Sequence, residues 1–214
     1  MTFDPAEDTL LTQLLAFQHA AIDIFELRKA TSKVSWAKGF PELPEAFWNC
    51  EAFMWTRKVS EKSRVIYDEL RTLEGCRNLD LGCGSNSYIK SAVGIDFSEK
   101  MLQFNDTALE KVKGGLGVAW PFPNSSFDLV MAVFVLNYVD DLNFVFSEVQ
   151  RVLLGEGKFV VILSATGVSE LHQQHEQQKH SFESWKQLFE GAFDSVEVNE
   201  KEGLWFFVCS VGRS

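Results

Sequence analysis

Residues 77–102 read RNLDLGCGSNSYIKSAVGIDFSEKML. A short apolar run ends in the pair Gly82 and Gly84, and a second one closes on Asp96. Two further apolar runs follow, FDLVMAVFVL (127–136) and KFVVILSA (158–165), and between them lies DDLNFVFSEVQRVL (140–153). In that intervening stretch Leu142, Val145, Phe146, Val149 and Val152 recur at helical spacing, opened by Asp141. Continuous apolar strands separated by helices predict a mostly parallel sheet covered on both faces, a doubly wound α/β architecture. HSFESWKQLFEGAF (180–193) reads as another helix. After it, DSVEVNE (194–200) and GLWFFVCSV (203–211) lie so close that they must pair as an antiparallel hairpin.

In such a sheet, ligands bind outside the carboxyl ends of the strands, where Gly82 and Gly84 let a ligand approach the backbone. A dinucleotide fingerprint needs G-x-G-x-x-G, but Ser87 stands at the third position. A P-loop needs a Gly-Lys-Ser/Thr ending, and no lysine follows. In their place stands Asp80, whose carboxylate repels a pyrophosphate and suits an ammonium or sulfonium cation. Asp96, twelve residues past Gly84, is placed to accept the two hydroxyls of a ribose. A ligand with a ribose, a positive centre and no phosphate is S-adenosylmethionine.

Residues 76–165 resemble the class I S-adenosylmethionine-dependent methyltransferases, in particular the small-molecule branch often called type 11. LDLGCGSN resembles the first family motif and VGIDFSEKML the second. WPFPNSSFDLVMAVFVLNYVDD resembles the region through the fourth strand, and EVQRVLLGEGKFVVI the helix, turn and strand after it. The resemblance implies a Rossmann-like, seven-stranded sheet that binds S-adenosylmethionine and releases S-adenosylhomocysteine. It further implies that Gly82, Cys83 and Gly84 line the methionine end and that Asp80 reaches the amine. Asp96 would hold the ribose, with Phe97 and Met101 covering the adenine; for these last two, core packing is the competing reading.

Three departures stand out. Asn86 replaces a frequent third glycine, and asparagine tolerates the left-handed conformation. Only Ser85 to Ser91 separate Gly84 from the next strand, so the first helix is expected to have one or two turns at most. The acidic residue that bonds the adenine amine in relatives has no counterpart in KGGLGVAWPF (113–122). Backbone groups around Gly117 and Val118, with Trp120 stacked on the ring, are expected to substitute.

The acceptor is expected beyond the fourth strand, oriented by Asn137 and Tyr138, which also fit as capping and packing residues. His172, His175 and His180 lie in ELHQQHEQQKH (170–180). His172 and His175 are spaced to share a helix face as base or ligand; the same segment also reads as a solvated helix over the pocket mouth. The catalytic candidates are therefore Asn137, Tyr138 and His172. Trp55, Arg57 and Lys58 are candidates to close over the cofactor carboxylate.

Thirty acidic against twenty basic residues leave a net charge of −10, which argues against nucleic acid and anionic membranes as main partners. No N-P-P-Y-like motif follows the fourth strand, which favours a small-molecule acceptor. The four cysteines form no C-x-x-C pair, so reduced thiols in a cytoplasmic protein are expected and no metal site is assigned. The 19 phenylalanines point to a bulky core.

Residues 1–75 are read as a helical lid and 76–214 as the cofactor-binding domain. Leu10, Leu14, Phe17, Ala21 and Ile24 predict one helix over 8–28. A linker over 35–48 and a second helix over 48–73 follow, with Val59, Ile66, Leu70 and Leu73 on one face. The leading expectation is an S-adenosylmethionine-dependent methyltransferase acting on a small, partly apolar molecule. The alternative is a methyltransferase-like binding or regulatory protein without catalysis.

Overall fold

The structure is a computed structural model that describes residues 5–58 and 63–212, with the side chains of 55–58 left aside. Strands β1 (Asn78–Leu81), β2 (Ala92–Asp96), β3 (Glu110–Lys113), β4 (Phe127–Val133), β5 (Leu153–Ser164), β6 (Ser195–Lys201) and β7 (Leu204–Ser210) form one sheet. Its order is β3-β2-β1-β4-β5-β7-β6. The first five strands are parallel, and β7 lies antiparallel between β5 and β6. The Rossmann-like sheet with a closing hairpin is thus as the sequence predicts. The strand order reverses beside β1, so the carboxyl ends of β1 and β4 open a crevice there.

Alternation along the strands divides the core. Val130, Ala132, Phe159, Val161 and Phe207 face α6 (Leu142–Val152) and α8 (Phe182–Ala192), which contribute Phe146, Val149, Trp185 and Phe189. Leu129, Met131, Val160, Ile162 and Phe206 face the other way, onto Ile66 and Leu70 of α4 (Ser63–Arg71). Phenylalanines dominate the first layer: Phe146, Phe159, Phe189 and Phe193 sit 5.5–6.4 Å apart, mostly tilted or edge-on. Edge strand β6 carries Glu197, Glu200 and Lys201 outward, which discourages pairing with another chain.

Between β1 and β2 no helix forms; residues 82–91 run as turns. The short helix expected there is corrected, for a physical reason. Ten residues barely complete a parallel crossover, and the apolar Tyr88 and Ile89 turn inward against α4 instead. Asn86 Nδ2 donates to the Tyr67 hydroxyl on α4 at 3.3 Å, tying the loop to the helix that covers this face.

The amino-terminal region also departs from expectation. The helix predicted over 8–28 is two, α1 (Pro5–Gln18) and α2 (Ile24–Thr31). Ala20 has a left-handed φ of 55°, and Asp23 caps α2 by accepting from Glu26 N at 2.9 Å. The helix predicted over 48–73 is likewise α3 (Pro44–Lys58) and the separate α4. Val59 lies outside the described residues, as do the side chains of Trp55, Arg57 and Lys58. Pro44 opens α3, where its missing N–H costs nothing. The stretch 35–48 is packed rather than a free linker, with Ala37, Phe40 and Phe47 buried. Together α1, α2 and α3 enclose a second core of Leu10, Leu14, Leu27, Phe47, Cys50 and Met54.

Candidate active site

Two adjoining cavities open at the carboxyl ends of β1 and β4. The first, about 400 Å³, is floored by the turn after β1. Gly82 and Gly84 have φ of +57° and +56°, a conformation side chains rarely adopt. A Cβ at Gly82 would meet Val135 Cγ2 at 2.3 Å, so only glycine allows β1 to turn this close to the loop after β4. Gly84 N donates to Asp96 Oδ2 at 3.0 Å, and Asn105 Nδ2 donates to Gly84 O at 2.9 Å.

Asp96 ends β2 and uses both oxygens to build the site. Its Oδ1 accepts from Ser98 N at 2.8 Å, while the Ser98 hydroxyl caps α5 (Glu99–Phe104) through Met101 N. Burial pushes its carboxyl up to about 6, against the opposing pull of backbone N–H groups from Ser98, Gly84 and Phe97. Asp80 is 2% exposed, and burial pushes it up further, to about 7. The nearby Ser87 hydroxyl favours its carboxylate and the charge of Asp96 opposes it. Neither Asp80 Oδ2 nor Ser87 Oγ meets a partner at hydrogen-bonding geometry among the described residues. A buried acceptor left in this state costs about 1–3 kcal/mol, which a donor or cation placed beside it would offset.

Of the residues singled out from sequence, Asp80, Gly82, Cys83, Gly84, Asp96, Phe97, Met101, Gly117 and Tyr138 line this cavity. Val118 does not; it is exposed to solvent. Trp120 is also elsewhere, buried in the core. Its backbone N–H donates to Glu148 Oε2 on α6 at 2.8 Å, and its indole N–H to Leu116 O at 3.4 Å. Arg151 closes this staple by donating to Glu148 and to the carbonyls of Trp120 and Phe122. The expected stacking role is corrected: a charged pair from α6 draws the Trp-Pro-Phe turn inward, leaving Leu116 and the glycines at 114 and 117 at that wall.

His172 lines neither cavity. Its Nε2 lies 3.3 Å from Glu51 Oε2, its Nδ1 shares a proton with Ser169 Oγ at 2.8 Å, and both members of the pair are buried. His175 does reach the first cavity; its Nε2 bonds Pro41 O at 2.8 Å, its ring stacks on Phe47, and burial lowers its pKa. These two histidines pin the segment after β5 onto α3. Asp141 caps α6 through Phe144 N, as its position suggests. Pro44 and Trp48 arrive at the first cavity from α3. No local pattern places them there, because the contact depends on how the amino-terminal helices dock.

The second cavity, about 650 Å³, lies beyond β4 and β5. Asn137 lines it, and Phe134 and Tyr138 belong to both cavities.

Residues 79–161 match the sequence model of a family described as a methyltransferase domain. Over these residues the chain is similar to a methyltransferase domain. A demethylmenaquinone methyltransferase of Leptospira interrogans is 36% identical over 100 residues, covering 38% of this chain and 40% of its own length. The chain spans 33–48% of the length of the first curated relatives it matches. A solved S-adenosylmethionine-dependent methyltransferase of Thermotoga maritima superposes with a TM-score of 0.64 at 16% identity, over 76% of this chain and 97% of that one. The complex of DhpI with S-adenosylhomocysteine superposes with a TM-score of 0.62 at 15% identity, over 79% and 96%. At these identities the superpositions establish the fold. The matched residues include the Gly82–Gly84 turn, Asp96 and β4, while α1 to α3 lie outside them.

Proposed function

We propose that this protein is an S-adenosylmethionine-dependent methyltransferase whose acceptor is a small, partly apolar molecule. One observation carries the reading: a fully buried carboxylate, Asp80, presents an oxygen without a partner beside a left-handed glycine turn. That arrangement suits a cationic amine and no phosphate. Asp80 would receive the amino group of the cofactor and Asp96 the ribose hydroxyls. Gly82, Cys83 and Gly84 would flank the methionine end, and Phe97 and Met101 the adenine. With no acidic side chain at the adenine wall, backbone groups near Gly117 would contact the base. When bound, the cofactor supplies a methyl carbon already activated by its sulfonium.

The chain's own task is then alignment and exclusion of water. Trp48 of α3 packs edge-on against Tyr138 at 4.8 Å over the cavity, so α1 to α3 would act as a lid. The demethylmenaquinone methyltransferase relative supports an acceptor with apolar character. Calorimetry with S-adenosylmethionine and S-adenosylhomocysteine tests the reading: binding in the micromolar range is expected. No heat from either ligand at millimolar concentration overturns it. Turnover on an acceptor separates an enzyme from a binding protein.

A further inference from the structure

The second cavity carries its own chemistry. It is large enough for a drug-sized ring system and small enough to enclose one. Phe134, Tyr138, Trp185 and Trp205 supply aromatic wall, with Trp205 braced edge-on by Phe182 at 5.5 Å. The opposing polar wall comes from the segment after β5. Glu176 Oε1 accepts from Asn137 Nδ2 at 3.1 Å, and Gln178 Nε2 donates to the carbonyls of Val139 and Asp140. The backbone N–H groups of Gln177 and Gln178 both donate to Asn137 O. The carboxylate is therefore held in place on a segment stapled to the turn after β4. Among the lining residues Lys179 is the one lysine or arginine, and it is exposed, while the Nε2 of His180 is already bonded to Gln178 Oε1 at 3.0 Å, so the lining offers a phosphate no buried lysine or arginine.

Phe134 stands in the wall common to both cavities with a left-handed φ of 56°. For a bulky residue that conformation costs about 1 kcal/mol or more and survives only where the surroundings impose it. Here Phe134 N donates to Ile162 O at 2.9 Å, fixing the residue as the chain leaves β4. A residue held against strain at the junction of two cavities gives a fixed edge beside which two ligands would meet.

We propose that this second cavity is the acceptor site and that it takes a flat aromatic molecule bearing a hydroxyl or amine, without a phosphate. This rests on the methyltransferase reading above and narrows it. The aromatic walls hold the ring, Glu176 accepts a hydrogen bond from the hydroxyl or amine, and Asn137 is a positioning residue for Glu176.

Calorimetric titration of the full chain with 2-naphthol, tryptamine and phosphoethanolamine, with and without S-adenosylhomocysteine, tests this. One of the two aromatic probes should bind with one-to-one stoichiometry, and phosphoethanolamine at least about tenfold more weakly. Trp205→Ala should weaken the aromatic probe about tenfold or more. Glu176→Gln, which preserves shape and fold, should weaken it about three- to tenfold. Affinity for S-adenosylhomocysteine should stay within about twofold in both variants. The proposal is overturned if neither aromatic probe binds, if phosphoethanolamine binds as tightly, or if Glu176→Gln leaves aromatic binding unchanged. Aromatic binding in a chain that ignores S-adenosylhomocysteine would instead sink the methyltransferase reading and leave this cavity's ligand class standing.

Discussion

Asn49 of α3 and Ser98 at the start of α5 meet inside the protein, the Ser98 hydroxyl donating to Asn49 Oδ1 at 2.8 Å. The same oxygen accepts from Lys100 N at 3.2 Å, and Asn49 Nδ2 donates to Trp36 O at 3.0 Å. Ser98 in turn supports Asp96, which supports Gly84. One buried carboxamide thus links the amino-terminal helices to the turn that carries the candidate ribose acceptor. Replacing it by Ala strands three backbone or hydroxyl groups in the interior.

Asn49→Ala should therefore cost about 1–3 kcal/mol of stability. It should also weaken S-adenosylhomocysteine binding, because Ser98 loses the partner that fixes its rotamer. Urea denaturation and calorimetry on the same preparation read both effects. An unchanged midpoint together with unchanged affinity would show that the link carries no energy.

Asp80 yields a pH prediction whose sign can be worked out. Its folded pKa is raised to about 7, well above the unfolded value of about 3.9. Between those values the native state holds a proton that the unfolded state has lost, so stability falls as pH rises through the window. Asp96, raised to about 6, acts in the same direction. The ligand-free protein should be more stable to urea at pH 5 than at pH 8. Asp80→Asn should gain ~2 kcal/mol at pH 8 and flatten the profile. Binding runs the other way, since a cationic amine prefers the ionised carboxylate. Affinity for S-adenosylhomocysteine should drop by up to about tenfold per pH unit below 7 and level off above it. A flat binding profile from pH 5 to 8 would remove Asp80 from the amine's surroundings.

The two glycines of the turn should separate fold from binding. At Gly82 an added methyl overlaps Val135 and the backbone is left-handed, so Gly82→Ala should cost roughly 2–4 kcal/mol. At Gly84 the added methyl meets only Met101 Sδ, at 3.8 Å, leaving conformational strain of about 1 kcal/mol. Gly84→Ala should remain folded yet lose about tenfold or more in cofactor affinity, as its methyl enters the cavity. Equal stability losses in the two variants would contradict this geometry.

What the sequence made legible follows from where the forces are local. β2, β4 and the second half of β5 are largely buried on both faces and therefore read as apolar runs, and β1 is buried throughout with Asn78 and Asp80 among its four residues. β3, with the sequence EKVK, is an exposed edge recognisable only through its pairing with β2. The apolar period of 8–28 runs straight across the break between α1 and α2. The missed signal was Asp23 followed three residues later by Glu26, an amino-terminal capping pattern inside an otherwise helical stripe. Asp80, Gly82, Gly84 and Asp96 belong to one strand-turn-strand unit and could be read together. Trp120 could not, because Glu148 and Arg151 on α6 decide which way it turns.

The boundary of the proposed lid is testable by truncation, and the packing says where to cut. Ile66 and Leu70 of α4 belong to the core beneath β4, β5 and β7. α4 therefore goes with the sheet, while α1 to α3 share a core of their own. Removing residues 1–58 takes that second core away as a unit and leaves the sheet covered on both faces. The product should stay soluble and bind S-adenosylhomocysteine more weakly, having lost Pro44, Trp48 and Asn49, and should show no transfer to an acceptor. A cut at residue 45 is worse than one at 58, because Phe47, Cys50 and Met54 would face water without α1 and α2. A cut at 72 exposes the sheet face under Ile66 and Leu70 and should give insoluble protein. Solubility and circular dichroism of the three truncations decide the matter. If the 1–58 deletion aggregates as readily as the 1–72 deletion, the amino-terminal helices are structural and the lid reading fails.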